Sequence, residues 1–244
     1  MRKIIVGIPA RMGATRLPGK PLKKILNKTV IEHVFLRSKM AKLPTDVFVA
    51  TCDPEIKEVV ENAGGTALMT RKEIQRPALR VAEAMSQLSL DENDIIVIVQ
   101  GDEPLIHPEM IDRAINEFMK NSEDLCACLM AHCSEEEWKD PNEIKVVTNL
   151  RGYATYMSRS PIPYISHTKD SIGPRYKQVC VFPFTVKSLK MFLNLSETPC
   201  ELSESIELLR GIEHGLNIKM VKTNFVTKSI DTEEDRQRIT KMME

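Results

Sequence analysis

The sequence has no excess of charge of either sign: 34 Lys and Arg stand against 34 Asp and Glu in 244 residues. A chain with zero net charge has no global field to draw it to a polyanion, so nucleic acid is not an expected partner and any anion site must be local. The six cysteines include no C-x-x-C pair and most lie inside apolar stretches, where a free thiol acts as a small core residue. A reducing, cytoplasmic setting is expected. No uninterrupted apolar run is long enough to cross a bilayer, and the N-terminal "KIIVGI" is too short for a signal-peptide core, so no membrane association is expected either. Five histidines and the single Trp138 are scattered without ligand or triad spacing, which leaves them core or surface roles. There is no G-x-G-x-x-G, no internal repeat and no low-complexity segment.

What is present is a regular alternation. Short β-branched runs bounded by turn residues alternate with helical patterns, which predicts βα units and an α/β fold built on a mixed, mainly parallel sheet flanked by helices. With 42% hydrophobic residues the chain has enough apolar material for one full core, and residues 1–244 are expected to form a single domain. Residues 3–8 read as a buried strand, 9–28 as a long loop, 29–40 as a helix and 47–51 as a second strand. Asp53 reads as an N-cap with Pro54 in the first helical position, and Gly64 as the stop of that helix. A short strand near Ala67, a helix over 78–88 and a central strand over 95–99 follow, and Pro108 opens a helix to about 119. Beyond it "DLCACLMA", "EIKVVTN" and "YATYMSR" read as strands of more antiparallel character. "YKQVCVFPF" reads as one further strand, 186–193 and 203–214 as helices, 218–221 as an edge strand and 232–243 as a closing helix.

The loop "ARMGATRLPGKPL", residues 10–22, lies at the carboxyl end of the first strand, where open parallel sheets place their ligands. Gly13 and Gly19 permit close backbone approach, and Arg11, Arg16 and Lys20 supply charge-assisted donors that match phosphate oxygens. A polyphosphate is the natural guest. A Walker A loop needs four residues between its glycines and Ser or Thr after the Lys; here five intervene and Pro21 follows, so that motif is excluded. A solvated basic turn is the alternative use of the same residues.

"VQGDEP" ends the most apolar strand with an amide and two carboxylates: Gln100, Asp102 and Glu103. Carboxylates combined with water and phosphate oxygens form the ligand set that Mg²⁺ prefers. The competing use of Asp102 and Glu103 is to cap the helix that starts at Pro108, though they stand several residues early for it.

"PARMGATRLPGKPL", "VQGDEPLI", "MSRSPIPY" and "SIDTEEDRQRI" together resemble the sugar-activating cytidylyltransferases, and among them the 3-deoxy-manno-octulosonate (Kdo) cytidylyltransferase family. The resemblance runs over nearly the whole chain. It implies a nucleotide-diphospho-sugar transferase-like fold with a smaller antiparallel dimerisation part, a homodimer and Mg²⁺ as cofactor. It also implies transfer of CMP from CTP to an acidic ketosugar with release of pyrophosphate, a step in lipopolysaccharide biosynthesis. By matching positions, Pro9, Ala10, Arg11, Gly13, Thr15, Arg16, Lys20, Gln75 and Arg80 are implied to hold the nucleotide, and Gln100, Arg159, Gln178, Glu201 and Glu204 the acceptor. Lys20, Asp102 and Asp231 are the implied catalytic residues, the two aspartates being the implied metal ligands. A second carboxylate far along the chain makes physical sense, because both the α-phosphate and the departing pyrophosphate need neutralising during in-line attack. The plainer role for Asp231 is N-cap of the last helix.

Two stretches depart from the family pattern. Where the family has a Ser-Gly-Thr turn facing the base, this chain has Arg76, Pro77 and Ala78; where it has His and Tyr facing the sugar, this chain has Gln178 and Phe182. Loss of hydroxyl-bonding groups points to a different or less hydroxylated acceptor. Glu201, Glu204 and Glu207, spaced by three, are expected to share one helical face, either as a wall of the acceptor pocket or as an ordinary solvated face. Arg159 offers a cationic fork for a substrate carboxylate, or else pairs with a nearby acid. A cytidylyltransferase for another acidic sugar and a nucleotide-binding homologue that has lost catalysis are the alternatives to the main reading.

Overall fold

The run IIVIV is buried at every position and lies inside a sheet, as an unbroken apolar strand must. The structure, a computed structural model, describes residues 2–13, 16–165, 173–226 and 228–244. The first half supplies β1 (Ile4–Ala10), a short ribbon of β2 (Lys24–Ile25) and β3 (Lys28–Thr29), α1 (Val30–Lys39), β4 (Asp46–Thr51), α2 (Pro54–Asn62), β5 (Thr66–Met69), α3 (Pro77–Met85), β6 (Ile95–Val99) and α4 (Pro108–Lys120). The second half supplies β7 (Cys126–His132), α5 (Glu135–Lys139), β8 (Lys145–Thr148), β9 (Ala154–Ser158), β10 (Tyr176–Val179), β11 (Val181–Thr185), α6 (Val186–Asn194), α7 (Pro199–Glu204), α8 (Leu208–Glu213), β12 (Ile218–Thr223) and α9 (Glu233–Met243).

Among the described residues the longer strands make two five-stranded sheets. The first has the order β11-β6-β1-β4-β5, parallel throughout except for β11, which runs antiparallel to β6. Its strands alternate between two cores. Ile4, Val6 and Ile8 pack with Ile31, Val34, Ile56 and Ile111 of α1, α2 and α4, while Ile5 on the opposite face packs with Val81, Ala84, Leu189 and Phe192 of α3 and α6. Each fully buried Ile or Val in these layers contributes roughly 1.5–3 kcal/mol of transfer free energy. The second sheet has the order β12-β7-β10-β8-β9 and is antiparallel apart from the β12–β7 pair.

Several local expectations need correction. The 78–88 helix stops at Met85, and the 176–184 run is two strands, not one: it turns at Cys180, so that β10 belongs to the second sheet and β11 to the first. The 203–214 helix is also broken, because Ser205 adopts a left-handed conformation (φ 54°) between α7 and α8. Asp53 occupies the N-cap position of α2 but makes no side-chain cap; its carboxylate accepts the Met12 N–H instead (2.8 Å).

Candidate active site

The parallel strands β1, β4, β5 and β6 all deliver their carboxyl ends to one edge of the first sheet, and the loops leaving that edge build the site. The first loop is closed on itself by the Gly19 N–H donating to Met12 O (3.3 Å), and Gly19 takes φ 69°, which only glycine adopts without strain. Asp53 ties the same loop to the start of α2 through Met12. The loop after β6 approaches β1 so closely that a side chain at Gly101 would put its Cβ 2.6 Å from the Pro9 carbonyl oxygen.

Lys20 is the meeting point of both halves of the chain. Its Nζ donates to Asp102 Oδ2 (2.6 Å) and to Asp231 Oδ1 (3.3 Å), while Arg16 reaches the same Asp231 oxygen (3.1 Å). Burial opposes the charge on Lys20, but Asp102 and Asp231 more than offset it, so the ammonium titrates above its ordinary value. Neither aspartate spends itself as a helix cap: His107 takes the N-cap position of α4, and Thr232 caps α9 in a reciprocal pair with Asp235. Arg16 also bonds Asn142, a contact without a signal in the sequence. Beside Asp102, Glu103 is buried with its Oε2 unpartnered; burial, reinforced by the Asp102 charge, pushes its carboxyl up to about 8.

Two adjoining cavities of about 460 Å³ open at this edge. The polar one brings together Pro9, Ala10, Arg11, Gly13, Arg16, Lys20, Gln75, Arg80, Gln100, Asp102 and Arg159. Thr15, expected beside them, lies outside the described residues. Arg80 is almost wholly buried, and its guanidinium is engaged with Thr70, Arg71 and Ile74, holding the turn before α3 from behind. Gln75 joins Arg11 across the cavity.

The second cavity has an apolar floor of Ile98, Phe182, Phe184 and Phe192, with Gln75, Arg76, Gln100, Gln178, Ser205 and Glu207 among its polar positions. Gln75, Pro77 and Gln100 line both cavities, so the two share a wall. Glu201 and Glu204 are not among the residues that line this second cavity. The turn at Ser205 separates Glu207 from Glu201 and Glu204, which remain together on α7 and are held by other partners. Glu201 is fully buried, gripped at both oxygens by Arg210 (2.7 and 2.6 Å) and again by Arg76 (2.8 Å). Glu204 accepts from Ser158 Oγ (2.5 Å) and the Arg159 N–H (2.8 Å), and its carbonyl receives Arg159 Nε (2.8 Å), so it orients the Arg159 fork. Glu207 does reach the cavity, and burial raises its carboxyl above the usual range against the pull of Arg76 and the Ala78 N–H.

Comparison with known proteins gives a consistent result. A family model described as Cytidylyltransferase matches residues 5–223. The chain is 41% identical over 240 residues, 93% of each chain, to a 3-deoxy-manno-octulosonate cytidylyltransferase of Thermodesulfovibrio yellowstonii. It is 39% identical over 230 residues, again 93% of each, to an 8-amino-3,8-dideoxy-manno-octulosonate cytidylyltransferase of Shewanella piezotolerans. Among solved structures, CMP:2-keto-3-deoxy-manno-octonic acid synthetase complexed with CTP matches with a TM-score of 0.90 at 33% identity, over 99% of this chain and 98% of that one.

Proposed function

The chain belongs to the cytidylyltransferase family, and from that premise we propose that it transfers CMP from CTP to a 3-deoxy-octulosonate acceptor and releases pyrophosphate. The observation that carries this reading is the convergence of Asp102 and Asp231 on Lys20, with Arg16 beside them, at a polar cavity that adjoins a second, apolar-floored one.

The polar cavity takes the triphosphate. Arg11, Arg16 and Lys20 bind its oxygens, and Lys20 and Arg16 neutralise the charge that develops on the pyrophosphate as it departs. The acceptor occupies the second cavity, with its hydroxyls toward Gln100, Gln178 and Glu207 and its carboxylate directed across the shared wall toward Arg159 of the polar cavity. Its anomeric hydroxyl oxygen bonds to the α-phosphorus and gives up its proton to solvent as the bond from that phosphorus to the bridging oxygen breaks and pyrophosphate departs. No histidine lines either cavity among the described residues, and positioning with charge neutralisation carries such reactions.

Asp102 and Asp231 also fit a divalent ion. Both already share one cationic group, the Lys20 ammonium, and two carboxylates without nitrogen or sulfur donors match Mg²⁺, which completes its shell with phosphate oxygens and water. Bound there, Mg²⁺ would supply Lewis-acid neutralisation of phosphate charge.

Glu207 favours a second reading of the acceptor, since a half-buried carboxylate pairs with an ammonium as well as with a hydroxyl; this supports an 8-amino sugar of the kind named for the Shewanella relative. We also place the protein in the cytoplasm as a homodimer, a reading supported by six unpaired cysteines, by the exposed Leu150 and Tyr164 and by the position of β9 at the edge of the second sheet among the described residues. Among the described residues no helix is long and apolar enough to cross a membrane. Pyrophosphate release, measured for four nucleoside triphosphates crossed with a panel of acidic ketosugars with and without a chelator, tests the whole reading. Release confined to CTP with an octulosonate and abolished by chelation supports it; no release from any pair refutes it.

A further inference from the structure

The wall shared by the two cavities is fastened by an ion-pair cluster around Arg76, which lines the second cavity but not the first. Arg76 precedes α3 and pairs with Glu197 and, at 2.8 Å, with Glu201. Glu201 is itself anchored by Arg210, so the guanidinium of Arg76 is tied to a fixed point in α7. The N-terminus of α3 has no side-chain cap of its own; the Glu207 carboxylate of the neighbouring chain segment accepts the Ala78 N–H instead. On the other side Gln75 is held by Arg11. The segment 75–78 is thus clamped to both substrate-bearing halves of the site, with Gln75 and Pro77 facing both cavities.

We propose that Arg76 is a preorganising clamp: it fixes the shared wall before either substrate arrives, so that nucleotide and acceptor bind nearly independently of each other. This rests on the assignment of the two cavities to CTP and sugar. The thermodynamic consequence is specific. A wall already ordered charges neither ligand for its ordering, whereas a loosened wall charges whichever ligand binds first and spares the second. Removing Arg76 therefore weakens both ligands and creates a positive coupling that the intact protein lacks. Linkage requires the coupling factor to be the same in both directions. Loss of a direct contact to one ligand would weaken that ligand alone and create no coupling.

Arg76→Ala leaves Glu201 held at both oxygens by Arg210, so the variant is expected to fold. The test is calorimetric binding of α,β-methylene CTP with Mg²⁺, and of 3-deoxy-manno-octulosonate, each alone and with the other saturating. In Arg76→Ala both dissociation constants are expected to rise about five- to tenfold, each falling back by a common factor when the other ligand is present. In the unmodified protein each constant is expected to change less than about twofold on adding the other ligand. Glu197→Gln, which removes only the exposed half of the clamp, should show the same pattern at smaller amplitude. Unchanged constants, a rise for one ligand only, or a rise without mutual recovery would each overturn the clamp while leaving pyrophosphate release by the unmodified enzyme untouched. Failure of the unmodified enzyme to release pyrophosphate removes the cavity assignment and the clamp with it.

Discussion

Asp102 and Asp231, from opposite halves of the chain, touch one nitrogen: Lys20 Nζ lies 2.6 Å from the first and 3.3 Å from the second. Two carboxylates brought this close repel each other, and their approach persists because the Lys20 ammonium and the Arg16 guanidinium stand between and beside them. The same pair of acids is what a polyphosphate with its divalent ion requires.

Asp102→Asn keeps the shape and one hydrogen-bond acceptor but removes the charge. Turnover should fall roughly 10²–10³-fold, as expected when one preorganised electrostatic element is lost from a charged transition state. The melting temperature should stay near that of the parent, because Lys20 retains Asp231. Steady-state pyrophosphate release and a thermal melt together check this; near-normal turnover would remove Asp102 from the reaction.

Much of this site was legible in the sequence because its signals are local. Arg11, Arg16 and Lys20 cluster within one loop, and Asp102 stands at the end of a conspicuously apolar strand. Asp231 carried two possible roles, and only the fold shows that Thr232 does the capping and leaves Asp231 to face Lys20. The strand break at Cys180 and the helix break at Ser205 were not legible. Neither is marked by glycine or proline at the turn itself, and both halves of each run keep an apolar pattern. The break at Ser205 takes Glu207 off the face of α7, while Glu201 and Glu204 stay on that helix and are drawn from the second cavity by their own partners, Arg210 and Arg76 for the first and Ser158 and Arg159 for the second. Asp53 does stand at the N-cap position before Pro54, as its spacing predicts, but its carboxylate is spent on the distant Met12 N–H, a contact with no local signal.

Glu103 gives the protein a pH-dependent stability. Its carboxyl titrates near 8 in the folded chain against an ordinary 4.5, so between those values the folded state holds a proton that the unfolded state has lost. Stability is therefore full below about 4.5, declines as pH rises to about 8 and is flat beyond. Glu103→Gln, permanently neutral and of the same shape, should flatten that decline. Melting temperatures of the two proteins across pH 5–9 check it, and parallel curves would show that Glu103 is ionised in the fold.

Gln178 lines the second cavity and is absent from the first. Gln178→Ala should raise KM for the acidic sugar roughly tenfold, the order expected for a hydrogen bond lost to a polar ligand in a partly buried site. KM for CTP should be unchanged. Steady-state kinetics with each substrate varied in turn separates the two, and a rise for CTP alone would reverse the assignment of the cavities.

Glu201 has no exposed surface, and Arg210, which holds both of its oxygens, is nearly as buried. Glu201→Gln preserves the shape but strands the Arg210 guanidinium without its counter-charge, at a cost of roughly 3–5 kcal/mol. For a chain of this size that lowers the melting temperature by about 6–20 °C. The exposed pair of Lys139 and Glu135 has a comparable separation, 2.8 Å, yet Glu135→Gln should leave the melting temperature unchanged, because solvent screens both partners. Replacing Glu201 and Arg210 together by Leu and Met should recover most of the loss, since an apolar pair of similar volume asks for no desolvation of charge. A Glu201→Gln variant as stable as the parent would mean that Arg210 finds another partner, and α7 would then lose its claim to be the fixed point behind the wall between the cavities.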